Sequence, residues 1–302
     1  GEYAGAAAFL AEYAPPGRRG LYTSIVPAST AAGLLFGAAF VAVLHELLSS
    51  EALHEWGWRL PFLLAAPFGL VGRYIRMSLQ DTPKFLEMEQ RLETKAGMAT
   101  TPLRELLGQH RRSLAIGIGV TCLNAVAFYL LLSYMPTYLS SEMGMSERNS
   151  FIASTVSLAT YIGLIFLMGR LSDQFGRKTM LVVASLLFLG LTVPLFRLLD
   201  GQPLLVILAI QILFGAMLAM NDGTLPCLLA EIFPTRVRFS GFALSFNVAN
   251  SLFGGTAPFI ATWLIQVTGS KLAPAGYLLA AALVALVAML MCRETAHGAL
   301  ED

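Results

Sequence analysis

Charge is scarce in this sequence. Of its 302 residues only 13% are Asp, Glu, Lys or Arg, about half the ~25% usual for a soluble domain, and the formal net charge is +1. A soluble globular protein is excluded by that dilution, and a nucleic-acid binder by the want of any basic stripe. Cysteine and histidine are scarce as well. Three Cys and four His, far apart along the chain, offer neither a disulfide framework nor a metal centre. Cys122, Cys227 and Cys292 each lie inside an apolar stretch and read as small buried hydrophobes. His45, His54, His110 and His297 fall in or near loops, which argues against a histidine proton relay. No nucleophile–base pair and no nucleotide-binding loop is found, so the sequence does not read as an enzyme and no cofactor is implied.

What the sequence has instead is apolar length. Hydrophobic residues make up 56% of it, and a helix needs about 20 of them in a row to cross a bilayer. Eight segments qualify as spans: 22–48, 56–72, 113–139, 151–168, 180–199, 204–230, 239–267 and 272–292. The second is the weakest, interrupted by Arg73 and Arg76, whose side chains can snorkel from its end. The opening run, 1–14, is about 20 Å long as a helix and too short to span. It reads as the end of a helix, so the chain is expected to be a fragment. With alternating spans and residues 15–20 placed inside, sixteen of the 20 Lys and Arg fall in inside loops, the bias that sets a cytoplasmic side. Trp56, Trp58 and Trp263 then lie at the outer boundary as interfacial anchors. The charged stretch 80–112 becomes a central cytoplasmic linker, and 294–302 a short cytoplasmic tail. Gly33-x-x-x-Gly37 reads as a close helix-packing motif.

A repeat underlies the spans. Ala11-Glu12-x-x-Pro15-x-x-x-Arg19 recurs as Ala230-Glu231-x-x-Pro234-x-x-x-Arg238, a 219-residue offset that corresponds to a step of six helices. Parallel six-helix halves are one of the repeat types of secondary transporters. A complete protein of this plan has twelve helices, of which the first three and part of the fourth are absent here. Residues 1–79 are then the remainder of the N-terminal half and 113–293 the C-terminal half.

Polar residues recur at one depth. Glu2 lies 13 residues from Pro15, Asp222 lies 12 from Pro234, Asn124 lies 12 from Arg112, and Asn250 lies 12 from Arg238. Each is thus about 18–20 Å from its cytoplasmic boundary, near the midplane where transporter sites are expected. The repeat also maps Glu2 onto Asn221, beside Asp222. Intramembrane carboxyl groups are costly and functional by default, and loss of solvent raises a carboxyl group's proton affinity. Glu2 is therefore expected to be the leading proton-coupling group, with Asp222 second or the counter-charge for a cationic substrate group. Asn124, Asn221, Asn247 and Asn250 are expected to bind substrate. Phe128 and Tyr129, one turn after Asn124, offer ring faces for a quaternary ammonium. The competing readings are plain: a buried Asn can bond a neighbouring helix, and aromatic rings can simply pack.

The loop Gly169-Arg170-Leu171-Ser172-Asp173-Gln174-Phe175-Gly176-Arg177-Lys178 resembles the signature cytoplasmic loop of the major facilitator superfamily. Gly1-Glu2-Tyr3-x-Gly5, Gly17-Arg18-Arg19-Gly20, Trp56-Gly57-Trp58-Arg59-x-Pro61-Phe62 and Glu231-x-Phe233-Pro234-Thr235-Arg236-x-Arg238 are similar to its metabolite–proton symporter branch. The resemblance is strongest to the osmoprotectant transporters for proline and glycine betaine, with α-ketoglutarate, citrate and shikimate carriers as relatives. It covers essentially the whole chain. It implies an all-α polytopic fold of two six-helix halves in a bacterial inner membrane, and proton-driven symport of a small organic solute. A symporter of a carboxylate metabolite is the alternative, and a non-transporting sensor on the same scaffold a third reading. In the signature loop, Asp173 is expected near the N-terminus of the following helix, where the dipole favours its charge, and Gly169 and Gly176 in a tight turn. Arg177 and Lys178 are expected to face lipid headgroups or a carboxylate. Together with Arg18, Arg19, Arg236 and Arg238 these residues form the expected cytoplasmic gate.

Overall fold

The computed structural model describes residues 2–78, 102–296, 298 and 300, the side chains of 45, 50, 76 and 102 apart. The described residues are helical and carry no strand. The main helices are α1 (Glu2–Tyr13), α2 (Arg19–Leu44), α3 (Leu60–Ser78), α4 (Pro102–Gln109), α5 (Arg111–Glu142), α6 (Glu147–Phe175), α7 (Arg177–Arg197), α8 (Leu204–Glu231), α9 (Thr235–Thr268) and α10 (Ala273–Met291). Seven of these, α2 and α5 to α10, are long and apolar enough to cross a membrane. Eight spans were expected. The segment 56–72 is the exception: it forms α3, but two arginines, Arg73 and Arg76, and two prolines, Pro61 and Pro67, dilute its apolar run. Most of the expected linker, with Lys84, Arg91 and Lys95, lies outside the described residues, as does His297.

Apolar faces decide the packing. A large buried cluster joins α5, α6, α7, α8 and α10 through residues such as Leu131, Tyr161, Phe188, Phe214 and Leu278. A second, around Leu228, Leu229 and Phe242, fastens α1 to α8, α9 and α10 through Ala4, Ala7 and Ala11. Small residues on α1 let it lie close against these helices. The last part of the expected linker is α4, whose Leu106 is buried against Phe233 and Val237 while Glu105 pairs with Arg236 at 3.1 Å.

Glycine contacts correct two expectations. Gly169 is not in a turn; it lies within α6, against the carbonyl of Gly20 and the side chain of Ser24 on α2. The pair Gly20 and Gly169 lets the two helices meet backbone to backbone. Gly176 alone makes the turn, at φ 97°, a conformation that L side chains rarely adopt. Gly33 and Gly37 have nothing within 4 Å of where a Cβ would stand, so among the described residues they do not mark a close helix contact. Their face of α2 is exposed.

The two kinds of glycine on α2 predict different costs. Gly20→Val must push α2 off α6 and is expected to destabilise by about 1–3 kcal/mol, the usual cost of overpacking. Gly33→Val should change stability by less than about 0.5 kcal/mol, as for surface sites. Thermal unfolding of the two variants in detergent checks this, and equal losses would mean that the Gly33 face is covered.

Candidate functional site

Two polar centres stand out, one at an end of the bundle and one at mid-depth. The first is built on Arg177, which is 1% exposed. Its guanidinium holds Asp173 at 2.8 Å and Glu231 at 3.3 Å, and donates to Ser172 Oγ at 3.0 Å. A buried cation is tolerable when carboxylates surround it in this way. Glu231 is shared further: Thr295 donates to it at 2.6 Å, the Cys227 thiol at 3.4 Å, and Arg19 lies 3.5 Å away. Cys227 is therefore buried, as expected, but is also part of this network.

Asp173 does not stand at the start of the helix that follows it. It is the last-turn residue of α6, and its carboxylate accepts the backbone N–H groups of Gly20 (2.8 Å) and Leu21 (3.0 Å). It thus caps α2, where the helix dipole favours an anion. Among the described residues the ammonium of Lys178 meets no carboxylate; it donates to the carbonyls of Cys292 (2.7 Å) and Leu290 (3.4 Å) at the end of α10. Arg238 pairs with Glu12 at 2.5 Å and donates to the Ala230 carbonyl at 2.8 Å. Arg18 is exposed. The repeat is visible here as two crossed pairs, Glu12 with Arg238 and Arg19 with Glu231.

The C-terminal segment locks onto the same centre. Glu294 accepts the N–H groups of Arg177 (2.8 Å) and Lys178 (3.0 Å), the first residues of α7. Partial burial alone would raise its pKa. The backbone N–H groups of Ala296, Arg177, Thr295 and Lys178 outweigh that and hold it below its ordinary value of 4.5.

The second centre is a cavity of about 240 Å³ lined by Tyr3, Pro27, Thr30, Asn124, Phe128, Tyr129, Asp222, Phe246, Asn247 and Asn250. Six of the expected residues meet here: Asn124, Phe128, Tyr129, Asp222, Asn247 and Asn250. Asp222 is buried and accepts the hydroxyl of Tyr161. Asn247 and Asn250 each donate to their own helix, to the carbonyls of Ala243 (2.7 Å) and Phe246 (2.9 Å). Tyr3 stacks on Phe246 at 4.2 Å, and Phe128 stands edge-on to Tyr129 at 5.9 Å. Tyr129 and Asn250 each open a π-helical turn, Tyr129–Tyr134 and Asn250–Gly254, a distortion frequent at functional sites. The two turns meet, since a Cβ at Gly254 would stand 2.7 Å from the Tyr129 ring.

Two expected residues are elsewhere. Glu2 is exposed and does not line the cavity; its neighbour Tyr3 does. Asn221 is fully buried, with no partner for either amide atom among the described residues, and does not line the cavity either. Counting depth placed Glu2 at the right level but not on the right face of α1. The repeat held the missing signal, since an offset of 219 maps Tyr3, not Glu2, onto Asp222. Tyr161 and Phe246 were missed because an aromatic ring in an apolar helix carries no mark of its own.

Two family models match the chain: Major Facilitator Superfamily over residues 1–160 and Sugar (and other) transporter over residues 87–302. The chain belongs to the major facilitator superfamily. It is 36% identical to the glycine betaine/proline/ectoine/pipecolic acid transporter OusA of Dickeya dadantii, over 100% of this chain and 61% of that protein. It is 34% identical to the proline/betaine transporter of Salmonella typhimurium, again over 100% of this chain and 61% of the relative, and 33% identical to the ectoine/proline transporter ProP of Corynebacterium glutamicum, over 98% and 61%. The chain therefore spans about three fifths of the length of these relatives. All are transporters, not enzymes. Among solved structures the proton:xylose symporter XylE superposes with a TM-score of 0.74 at 19% identity, over 97% of this chain and 68% of that one, which shows the major facilitator fold in this multi-pass membrane protein.

The Glu294 cap has a pH signature. A carboxyl group whose folded pKa is lowered adds stability above its ordinary pKa and loses it as pH falls through the folded value. Proteolysis of the tail is expected to quicken as pH drops below about 4.5, and Glu294→Gln should show the faster rate at every pH with no such step.

Proposed function

We propose that the complete protein is a proton-coupled symporter of a small zwitterionic or cationic osmolyte such as proline or glycine betaine, in a bacterial inner membrane. The observation that carries this reading is the wall of the mid-depth cavity. It holds one carboxyl group, Asp222, four aromatic rings and three carboxamides, and among the described residues lining it there is no Lys, Arg or His. Ring faces attract a quaternary or secondary ammonium, while Asn124, Asn247 and Asn250 are placed to meet the solute's own polar groups. A di- or tricarboxylate would find no cation here, which weighs against the carboxylate-metabolite alternative. The names of the relatives, proline, betaine and ectoine transporters, point the same way.

Asp222 is the better candidate for the coupling proton, because it is buried, faces the cavity and holds the Tyr161 hydroxyl. Glu2 is second, the reverse of the order the sequence suggested. A sensor on the same scaffold would have no use for a carboxyl group in the cavity wall.

The Arg177 centre is the cytoplasmic gate in this reading, and the end of the bundle that carries α4 and the C-terminal segment faces the cytoplasm. The crossed pairs join helices of the two repeats, so they hold that end closed and must part when it opens. Alternating access then exposes the cavity to one side at a time.

Uptake into proteoliposomes by the full-length protein, under an imposed pH gradient, tests the substrate and the coupling together. Betaine or proline uptake should require the gradient. Asp222→Asn should lose concentrative uptake but keep solute exchange, and Glu2→Gln should have the smaller effect. Citrate or α-ketoglutarate uptake would sink the osmolyte reading, and gradient-independent accumulation would sink the coupling. For the gate, Glu231→Gln removes the anion shared by Arg177 and Arg19. With Cys122 and Cys292 replaced by Ala, alkylation of the buried Cys227 is expected to run about tenfold faster in Glu231→Gln, the effect of ~1.4 kcal/mol on opening.

A further inference from the structure

Several buried polar groups lie outside both centres, and four of them share one interface. On α6, Ser150, Ser154, Ser157 and Tyr161 recur at helical spacing, and all are buried. On α8, Ile207, Gln211, Gly215, Leu218 and Asp222 form the matching stripe, also buried. The glycines fix how the two faces meet. A Cβ at Gly215 would stand 2.5 Å from the carbonyl oxygen of Ser157, and one at Gly223 would stand 2.7 Å from that of Ile165. Tyr161 closes the row at its inner end with its bond to Asp222. At the outer end, the face opposite the Arg177 centre, a depression of about 410 Å³ is lined by Ser146, Asn149, Gln202 and Ile207, among others. Ser150 donates to the Ser146 carbonyl at 3.1 Å, and Gln211 lies one turn beyond Ile207.

Among the described residues the hydroxyls of Ser154 and Ser157 and both amide atoms of Gln211 have no hydrogen-bond partner. Gln211 and Ser157 are 0% exposed. Polar groups buried in a membrane helix pair are normally bonded to each other or to water, because leaving them unmet costs roughly 1–3 kcal/mol each. A purely structural seam would use them to bond the two helices together; these groups do not. They run in file between an outer depression and the one carboxyl group of the central cavity.

We propose that the Ser150–Ser154–Gln211–Ser157–Tyr161 seam is the proton path between the outer face and Asp222. The inference rests on the coupling role given to Asp222 above. A proton enters at the depression and passes through the serine hydroxyls and intervening water, each hydroxyl giving up one proton as it receives another. Gln211, one turn outward of Gly215 and so level with Ser154, bridges water among the serines. The net change is one proton gained by the Asp222 carboxylate and one lost from the outer solution, with nothing oxidised or reduced. Between Ser157 and Gly215 the helices are too close for a methyl group, so an organic solute cannot follow this route. Proton and solute therefore reach the site by different openings. The titratable groups facing Asp222 are Tyr161 of α6 and Tyr3 of α1, with the neutral Asn124 of α5 beside them in the cavity wall.

The test separates proton delivery from solute binding. In the full-length protein, Gln211→Leu and, independently, Ser154→Ala with Ser157→Ala remove the seam with apolar replacements that a buried site tolerates. Solute exchange at equal pH on both sides should match the unaltered protein. Gradient-driven uptake should fall about tenfold or more, in the range that losing a proton-transfer group produces, whereas Ser157→Thr alone, which keeps a hydroxyl, should retain most of it. Unchanged gradient-driven uptake in both seam variants, with Asp222→Asn inactive for it, would overturn the path and leave the coupling role standing. Concentrative uptake surviving in Asp222→Asn would overturn the coupling role and the path with it.

Discussion

A guanidinium withdrawn from water has to be met by anions, and the end of this bundle is organised around that requirement at Arg177. Asp173 approaches it from the preceding helix and Glu231 from the end of α8. Each of those carboxylates has a second obligation. Asp173 caps α2 through two backbone N–H groups, and Glu231 answers Thr295, Cys227 and Arg19. Four helices and the tail therefore share a single electrostatic centre. Removing one partner leaves a buried charge uncompensated, which is costly, so the contacts form or part as a set. That all-or-none character is what a gate requires of a bistable element.

The 219-residue repeat gives the centre its symmetry. Glu12 and Arg19 in one copy correspond to Glu231 and Arg238 in the other, and the ion pairs run across, Glu12 to Arg238 and Arg19 to Glu231. Each copy supplies the anion for one bridge and the cation for the other. Pairing within a copy would stabilise each half alone. Pairing across copies stabilises their contact, so the same four side chains report the relation between the halves. The Gly20–Gly169 approach depends on this geometry too, since the N–H groups of Gly20 and Leu21 reach Asp173 only when α2 and α6 touch.

Much of this was legible in the sequence. Long apolar runs dictated the spans, because an apolar helix is the simplest element that meets every backbone polar group in a bilayer. Depth counting brought Asn124, Asp222 and Asn250 to one level, and they do line one cavity. The count fixes distance along a helix but not azimuth, and there it failed for Glu2; Asn221, reached from Glu2 through the repeat, misses the cavity with it. For Asp173 it was the partner that could not be read: a carboxylate at the end of α6 is as near in space to the start of α2 as to the start of α7, and sequence shows only the latter. The Gly33 and Gly37 spacing is ambiguous for a related reason, since small residues allow a close contact without requiring one. Cys227 looked like a filler because a thiol is small and apolar; its bond to Glu231 depends on where a different turn of α8 places the carboxylate.

The cavity itself breaks the symmetry that the crossed ion pairs keep. Equivalent positions on α1 and α8 carry Tyr3 and Asp222, a ring on one side and a carboxylate on the other. A symmetric pair of carboxylates in one small cavity would repel, and one would be forced to hold a proton permanently. A single carboxyl group facing rings has no such conflict. It can take up and release a proton with no like charge beside it, which leaves the rings and carboxamides to hold the solute. The π-helical turns at Tyr129 and Asn250, in contact through Gly254, set the opposite wall. Both turns widen a helix where α5 meets α9, so the wall that would bear the solute's apolar body is built from the least regular backbone of the two helices. Rigid ion pairs at the end of the bundle and adaptable backbone at its centre divide the mechanical work between them.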